Sequence, residues 1–167
     1  MKPTDLRGIL QYVPRFREKA FVISLDGAIV TDENFTNILL DIAVLRSLNI
    51  RVVLVHGASA LIRAMAEQER IVPTDLEGSG VTDAATLRLS LTAANRLSHE
   101  ILEGLSASDL RAACTNAIIA HPMGIIHGID HLFTGRVARV DAAPFQPLLH
   151  EGLHTVEPPP GLAGEGK

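Results

Sequence analysis

Two short runs place glycine directly behind strand-like apolar segments. Asp26-Gly27 follows the run Phe21 to Leu25, and His56-Gly57-Ala58-Ser59 closes the run RVVLVH of residues 51–56. Turns at the carboxyl ends of parallel strands are where α/β folds bind ligands. Backbone N–H groups at the start of a following helix suit an anion. One such turn says little; two in succession say more. A second constellation is His121, His127 and His131 with Asp130. Its spacing admits a zinc site, but Pro122, Gly124 and Gly128 oppose a helix that would present all three rings on one face. A turn or solvated role is the preferred reading, and no metal is expected. Cys114 is the single cysteine. Its small and apolar neighbours offer no positive charge to stabilise a thiolate, so a buried, reduced thiol is expected. Nothing beyond residue counts supports a Ser-His-Asp or Cys-His arrangement.

These residues need elements to position them. Leu6, Ile9, Leu10 and Val13 fall at helical spacing and predict a short amphipathic helix, which Pro14 should stop. Phe21 to Leu25 predicts a strand. Thr31 or Asp32 should cap a helix whose apolar stripe is Phe35, Ile38, Leu39, Ile42 and Leu45. Arg51 to His56 predicts a second strand, and Ser59 should cap a helix carrying Leu61, Ile62 and Met65. After a loop from Val72 to Gly80, Thr82 should cap a long helix reaching about Leu105. Its expected inner face is Leu87, Leu91, Ala94, Ile101 and Leu105. Thr115 to His121 and Thr134 to Val140 are strand-like, with a β-excursion between them. Asp141 to His150 predicts a short helix, and Leu153 to Val156 a last strand. Residues 52–55 and 117–120 have the composition of parallel strands covered on both faces. The alternation of strand and helix is that of an α/β fold.

The bulk numbers agree. The chain has 167 residues, 47% of them apolar and 20% charged, with a net charge of −4. That composition suits a packed domain and not a disordered one. No basic cluster exists to neutralise phosphates, so nucleic acid is not an expected partner. There is no signal-peptide core and no apolar run of membrane-spanning length. A cytoplasmic protein without a membrane partner is expected.

The wording of several segments resembles a known family. The run Ile9 to Ile23 (ILQYVPRFREKAFVI) is similar to the opening of arginine-sensitive acetylglutamate kinases and of N-acetylglutamate synthases, members of the amino-acid-kinase family. The synthase-like landmarks continue through Asp26 to Val30, Glu33 to Phe35, Asp41-Ile42, Leu45 to Ala58, Asn116 to Gly124 and Thr134 to Asp141, and Val81 to Ala84 opens the long helix as in both families. The resemblance implies an open, mostly parallel sheet with helices on both faces, cut short before the family's fold is complete. It implies an oligomerisation helix over residues 1–14, carried by Leu6, Ile9, Leu10 and Val13. Residues 15–167 would be the first portion of the kinase-like domain, without its second half and without an acetyltransferase domain. By the same resemblance Gly27, His56, Gly57, Ala58 and Ser59 are candidate ligand-binding residues. Tyr12 would approach the inhibitor arginine, or else pack in an interface. His56 would face a ligand or, preferably, be a hydrogen-bonded structural histidine.

Departures from the kinases bear on chemistry. Ser24 stands where the family kinases carry a phosphate-neutralising Lys, and Asp26-Gly27 replaces Gly-Gly. His56-Gly57-Ala58-Ser59 replaces His-Gly-Gly-Gly, and Gly80 stands where a substrate-holding Arg is expected. The resemblance therefore implies part of a synthase that transfers acetyl from acetyl-CoA to glutamate at the start of arginine biosynthesis. This portion would be regulatory and structural, with no catalytic residues and no cofactor of its own. Its expected partners are copies of itself and L-arginine. The alternatives are an acetylglutamate kinase fragment and a stand-alone interaction module.

Overall fold

The computed structural model describes residues 13–74 and 80–159. Leu6, Ile9, Leu10 and Tyr12 lie outside the described residues, and the side chain of Val13 does too. The described chain opens with a helical turn, Val13–Phe16. Pro14 thus lies inside a described helical turn. Proline's fixed φ is itself a helical value, and in a first turn its missing N–H costs no helical hydrogen bond.

Four parallel strands form the main sheet: β1 Ala20–Leu25, β2 Arg51–His56, β3 Ala112–Cys114 and β8 His154–Glu157, in the order β1-β2-β8-β3. All three ladders are parallel. The helices are α1 Phe35–Ser47, α2 Ser59–Glu69, α3 Ala84–Ala107 and α4 Phe145–His150. From β1 to β2, and from β2 to β3, the chain advances across the sheet. From β3 it returns to β8, which sits between β2 and β3. Right-handed crossovers then put α1, α2 and α3 on one face and α4 on the other.

The core matches that assignment. Leu25, Val52, Leu54 and Val156 of the sheet pack against Phe35, Leu39 and Ile42 of α1 and against Ala93, Leu97, Ile101 and Leu105 of α3. Leu61, Ile62 and Met65 of α2 lie partly buried against the same cluster. Every residue of β8 is buried, because the strand has a neighbour on each side and covering layers on both faces.

Several expected boundaries move. Asp32 does not cap α1; its carboxylate accepts from the Asn34 N–H at 2.8 Å, and α1 starts at Phe35 behind Asn34. Ser59 is the first residue of α2, behind Ala58, and makes no cap. Asp83, not Thr82, caps α3, accepting from the Thr86 N–H at 2.7 Å. A carboxylate there meets both the free N–H groups and the positive end of the helix, which a hydroxyl cannot match. Thr82 instead bridges to Leu132.

The inner face of α3 also differs. Leu89, Ala93, Leu97, Ile101 and Leu105 are buried at four-residue spacing, while Leu91 is exposed. The helix carries leucines on adjacent faces. The buried face is the one from which Leu97 meets Gly27 and Ser98 meets His56 at the end of β2.

The run 117–120 is not part of the main sheet. Strand β4, Ile118–Pro122, pairs antiparallel with β7, Gly135–Val140, with a bulge at Ile119/Ala120. Between them β5 Ile125–Ile126 and β6 Ile129–Asp130 form a hairpin. This arm is pinned at its base, where Thr134 Oγ1 reaches Gly80 O and Thr82 Oγ1, each at 3.1 Å. Cys114 is exposed and not buried as expected, because β3 is an edge strand.

His154 opens β8 at 1% exposure with both ring nitrogens unpartnered. Burial, then the charge of Arg46, hold its pKa below the ordinary 6.5. The unfolded chain therefore takes up a proton first as pH falls through 6.5, and stability falls with it. Urea midpoints measured from pH 7.5 to 5.5 should decline. His154→Leu, which keeps the site apolar and filled, should flatten that decline. His56, also shifted down by burial, leaves a residual slope, and Glu157, shifted up by burial, works against the decline.

Candidate functional site

The carboxyl ends of the four parallel strands gather Asp26 and Gly27, His56 to Ser59, Cys114 to Ala117, and Glu157 along one edge of the sheet. Here the connection leaving β2 goes to one face and the connection leaving β3 goes to the other. Such a divergence is where open α/β sheets place their ligand crevice.

The first two turns are locked together. The Gly57 N–H donates to Leu25 O at 3.0 Å. A Cβ built on Gly27 would lie 2.3 Å from Gly57 O and 2.9 Å from Leu97 Cδ1. Gly27 is thus required for close packing of one strand-end turn on the other. Gly57 has open space around it and is exposed, as is Ser59, whereas Ala58 is buried.

Asp26 changes what the first turn can bind. Its carboxylate accepts from the Ala28 N–H at 3.0 Å and caps the 3-10 turn Gly27–Thr31. The N–H that a phosphate oxygen would approach already has a carboxylate of this chain on it. The shallow hollow beside it is lined by Asp26, Ala28, Ile29, Asp32 and Asn34, with two acidic side chains and no basic one. Ser24, at the end of β1, is exposed and uncharged.

His56 is 2% exposed, and its Nε2 lies 2.8 Å from Ser98 Oγ in the middle of α3. Its Nδ1 lies 3.4 Å from Gly57 O. With the proton on Nδ1, the imidazole accepts from the Ser98 hydroxyl and holds the second turn against α3. Burial holds the ring below its ordinary pKa and therefore neutral at pH 7. This geometry supports the structural reading of His56.

Glu157 was not foreseen. It ends β8 at 2% exposure, paired across the ladder with Val55. Burial pushes its pKa up; the Thr115 hydroxyl, which donates to Oε1, and the backbone of Ala117 and Thr115 oppose the shift. A lone acid closing an apolar strand before three prolines was the available signal, but strand reading stops at Val156. The Cys114 thiol nearby is pushed up by loss of water; Ser98 opposes this and Glu157 adds to it. That is the opposite of an activated nucleophile. Among the described residues, no group of three or more His, Cys, Asp or Glu side chains is placed to hold a metal ion. His131 Nδ1 is a buried atom without a partner, in the arm far from this edge in sequence.

The two glycines should respond differently to alanine. Gly27→Ala must displace backbone and should cost about 1–3 kcal/mol, as overpacking does. Gly57→Ala meets nothing and should stay within about 0.5 kcal/mol of the parent, like other surface changes. Ser98→Ala strands His56 Nε2 and should cost about 1–3 kcal/mol. Denaturant unfolding of the three variants checks the order.

Against known proteins, residues 19–167 match the model of the amino acid kinase family. An amino-acid acetyltransferase of Pseudomonas fluorescens is 36% identical over 171 residues, covering 97% of this chain and 40% of the relative. The structure of N-acetylglutamate synthase from Neisseria gonorrhoeae with coenzyme A and N-acetyl-glutamate superposes with a TM-score of 0.81 at 26% identity, covering 93% of this chain and 37% of that one. The same synthase with coenzyme A and L-arginine gives a TM-score of 0.83 at 24% identity, over 95% of this chain and 40% of that one. The chain therefore spans about two-fifths of the length of these relatives. Among the described residues no helix is long and apolar enough to cross a membrane. With the open parallel sheet, the crossover pattern and the family match over most of its length, the chain belongs to the amino acid kinase family.

Proposed function

We propose that this chain is the regulatory and structural part of an N-acetylglutamate synthase and does no chemistry by itself. The parent reaction would move the acetyl group of acetyl-CoA onto the amino group of L-glutamate. The observation that carries the reading is Asp26. Its carboxylate sits on the Ala28 N–H at 3.0 Å, in the place where a phosphoryl-transferring member needs an open anion seat. Ser24 and Gly80 supply no cation in the positions where the resembling kinases carry Lys and Arg. The amino-acid acetyltransferase relative supports the synthase over the kinase.

L-arginine as effector is part of the same proposal. It rests on the Tyr12-bearing opening shared with arginine-sensitive relatives. A synthase of the same fold has been solved with L-arginine and coenzyme A bound. Self-association through Leu6, Ile9, Leu10 and Val13 belongs to the proposal too. Four such side chains would contribute several kcal/mol, at about 1.5–3 each before ordering costs. Deleting residues 1–13 should lower the mass seen in sedimentation.

The test is a pair of assays on the chain. With ATP, magnesium and N-acetyl-L-glutamate, no ADP should form above a protein-free control. Loss of a single charge-stabilising group costs on the order of 10²–10³ in rate, and several are missing here. With acetyl-CoA and L-glutamate, no free thiol should appear. ADP formation that Gly27→Ala abolishes would favour the kinase alternative. Saturable thiol release would place the acetyl-transfer chemistry in this chain and overturn the regulatory reading.

A further inference from the structure

The arm of residues 118–140 stands apart from the core. Its strands pair only among themselves, β4 with β7 and β5 with β6. Thr82 pins it at Leu132 and Thr134. Among the described residues no other strand or helix packs on it beyond marginal contact. Yet it holds seven of the thirteen large apolar side chains that stand exposed among those residues. Ile125, Ile129, Val137 and Val140 are each more than half exposed. A two-stranded ribbon of this kind is marginal in water unless something packs on it.

The ladder fixes which side chains share a face. Residues directly opposite each other across an antiparallel pair lie on one face. Ile118 stands opposite Val140, and Ala120 opposite Val137. Those four make an uncharged apolar face. Ile119 stands opposite Arg139, and His121 opposite Arg136. Those four make the other face, with two arginines and no acid. The bulge creates this division. The register passes from Ile119–Arg139 to Ala120–Val137, so Ala138 is the extra residue. Without it, Arg136 and Arg139 would point to opposite faces, being three residues apart. One inserted residue thus gathers the charge on one side and clears it from the other.

Charge and size together select what covers the apolar face. An acidic partner would take the arginine face and leave Val137 and Val140 in water. A second copy brings an identical uncharged face, and packing the two together turns both arginine faces outward, away from each other. A specific interface takes roughly 20–30 residues a side, and the arm is of that length. We propose that Ile118, Ala120, Val137 and Val140 pack on the same four residues of a second copy of this chain, about a two-fold axis. The two ribbons then form a small sandwich, with sheets about 10 Å apart. The proposal rests on the arm alone, and not on the opening helix or the assignment to a synthase.

The experiment mixes two forms of the whole chain. One carries a nitroxide at Ala138→Cys, with Cys114→Ser removing the native thiol; the other is unlabelled at those sites and isotopically labelled in its valine methyls. In a dilution series from about 1 mM, the nitroxide should broaden the Val137 and Val140 methyls of the other copy. Val137→Glu with Val140→Glu, in the nitroxide-bearing copy, should weaken this association at least about ten-fold. Arg136→Gln with Arg139→Gln, on the opposite face, should leave it unchanged. All four positions are exposed, so unfolding midpoints near the parent value show that the variants are folded. Deleting residues 1–13 tests the opening helix separately, and the arm contact should survive it. A chain that shows no such broadening overturns the proposal, as does broadening that persists in the glutamate variant or is lost in the glutamine variant. Sedimentation with phosphatidylserine vesicles, in place of contact between copies, would assign the arm to a membrane surface and overturn it too.

Discussion

The contact between the bare α-carbon of Gly27 and the carbonyl of Gly57 sets the spacing of everything at the carboxyl edge. A methyl group on Gly27 would sit 2.3 Å from that oxygen. Without it, the first turn settles directly on the second, and the Gly57 N–H can reach Leu25 O. Leu97 closes the same contact from α3. Ser98, the next residue, takes the His56 ring. Strand ends, both turns and the long helix are therefore one rigid unit, and a shift in any of them must move the others.

Legibility in the sequence followed the physical cause of each feature. Strands β1 and β2 were plain because apolar runs bounded by Asp-Gly and His-Gly have few other solutions. The stripe of α1 was legible from the spacing of Phe35, Leu39 and Ile42, although Leu40 and Val44 stand exposed on the opposite face. Caps were harder, since Thr82 and Asp83 both qualify locally. The choice depended on Thr134, 52 residues away, whose hydroxyl accepts from the Thr82 N–H and donates to Gly80 O or the Thr82 hydroxyl. The inner face of α3 was harder still, because leucines occur on two faces, and the one that is buried is the one from which Leu97 meets Gly27 and Ser98 meets His56. Glu157 and its partner Thr115, 42 residues apart, meet only because β8 inserts between β2 and β3. No local pattern contains that insertion. The resemblance to the kinase family identified the glycine turns, but it could not show that Asp26 folds back onto its own turn.

Asp26 also illustrates how a scaffold can outlast a chemistry. The N–H groups that open a turn or helix behind a parallel strand remain there whatever the function, because the fold requires the turn. What varies is whether they stay available. Here Asp26 satisfies Ala28 and Asp32 satisfies Asn34, so a backbone donor at each end of the 3-10 turn is engaged by a carboxylate of the chain itself. Each bond stabilises the local structure, and each carboxylate leaves negative charge where a phosphate would enter. Stability and exclusion come from the same atoms.

The same logic separates the two edges of the sheet. At the carboxyl edge the polar side chains are paired with one another: Asp26 with its turn, His56 with Ser98, and Glu157 with Thr115. Their donors and acceptors are used within the fold, which makes them stabilising and leaves little for a ligand. At the amino edge Asp109 and Arg111 are exposed, and Arg111 donates to Glu151 O. The family's sequence landmarks thus point to an edge whose polar side chains are already engaged within the fold.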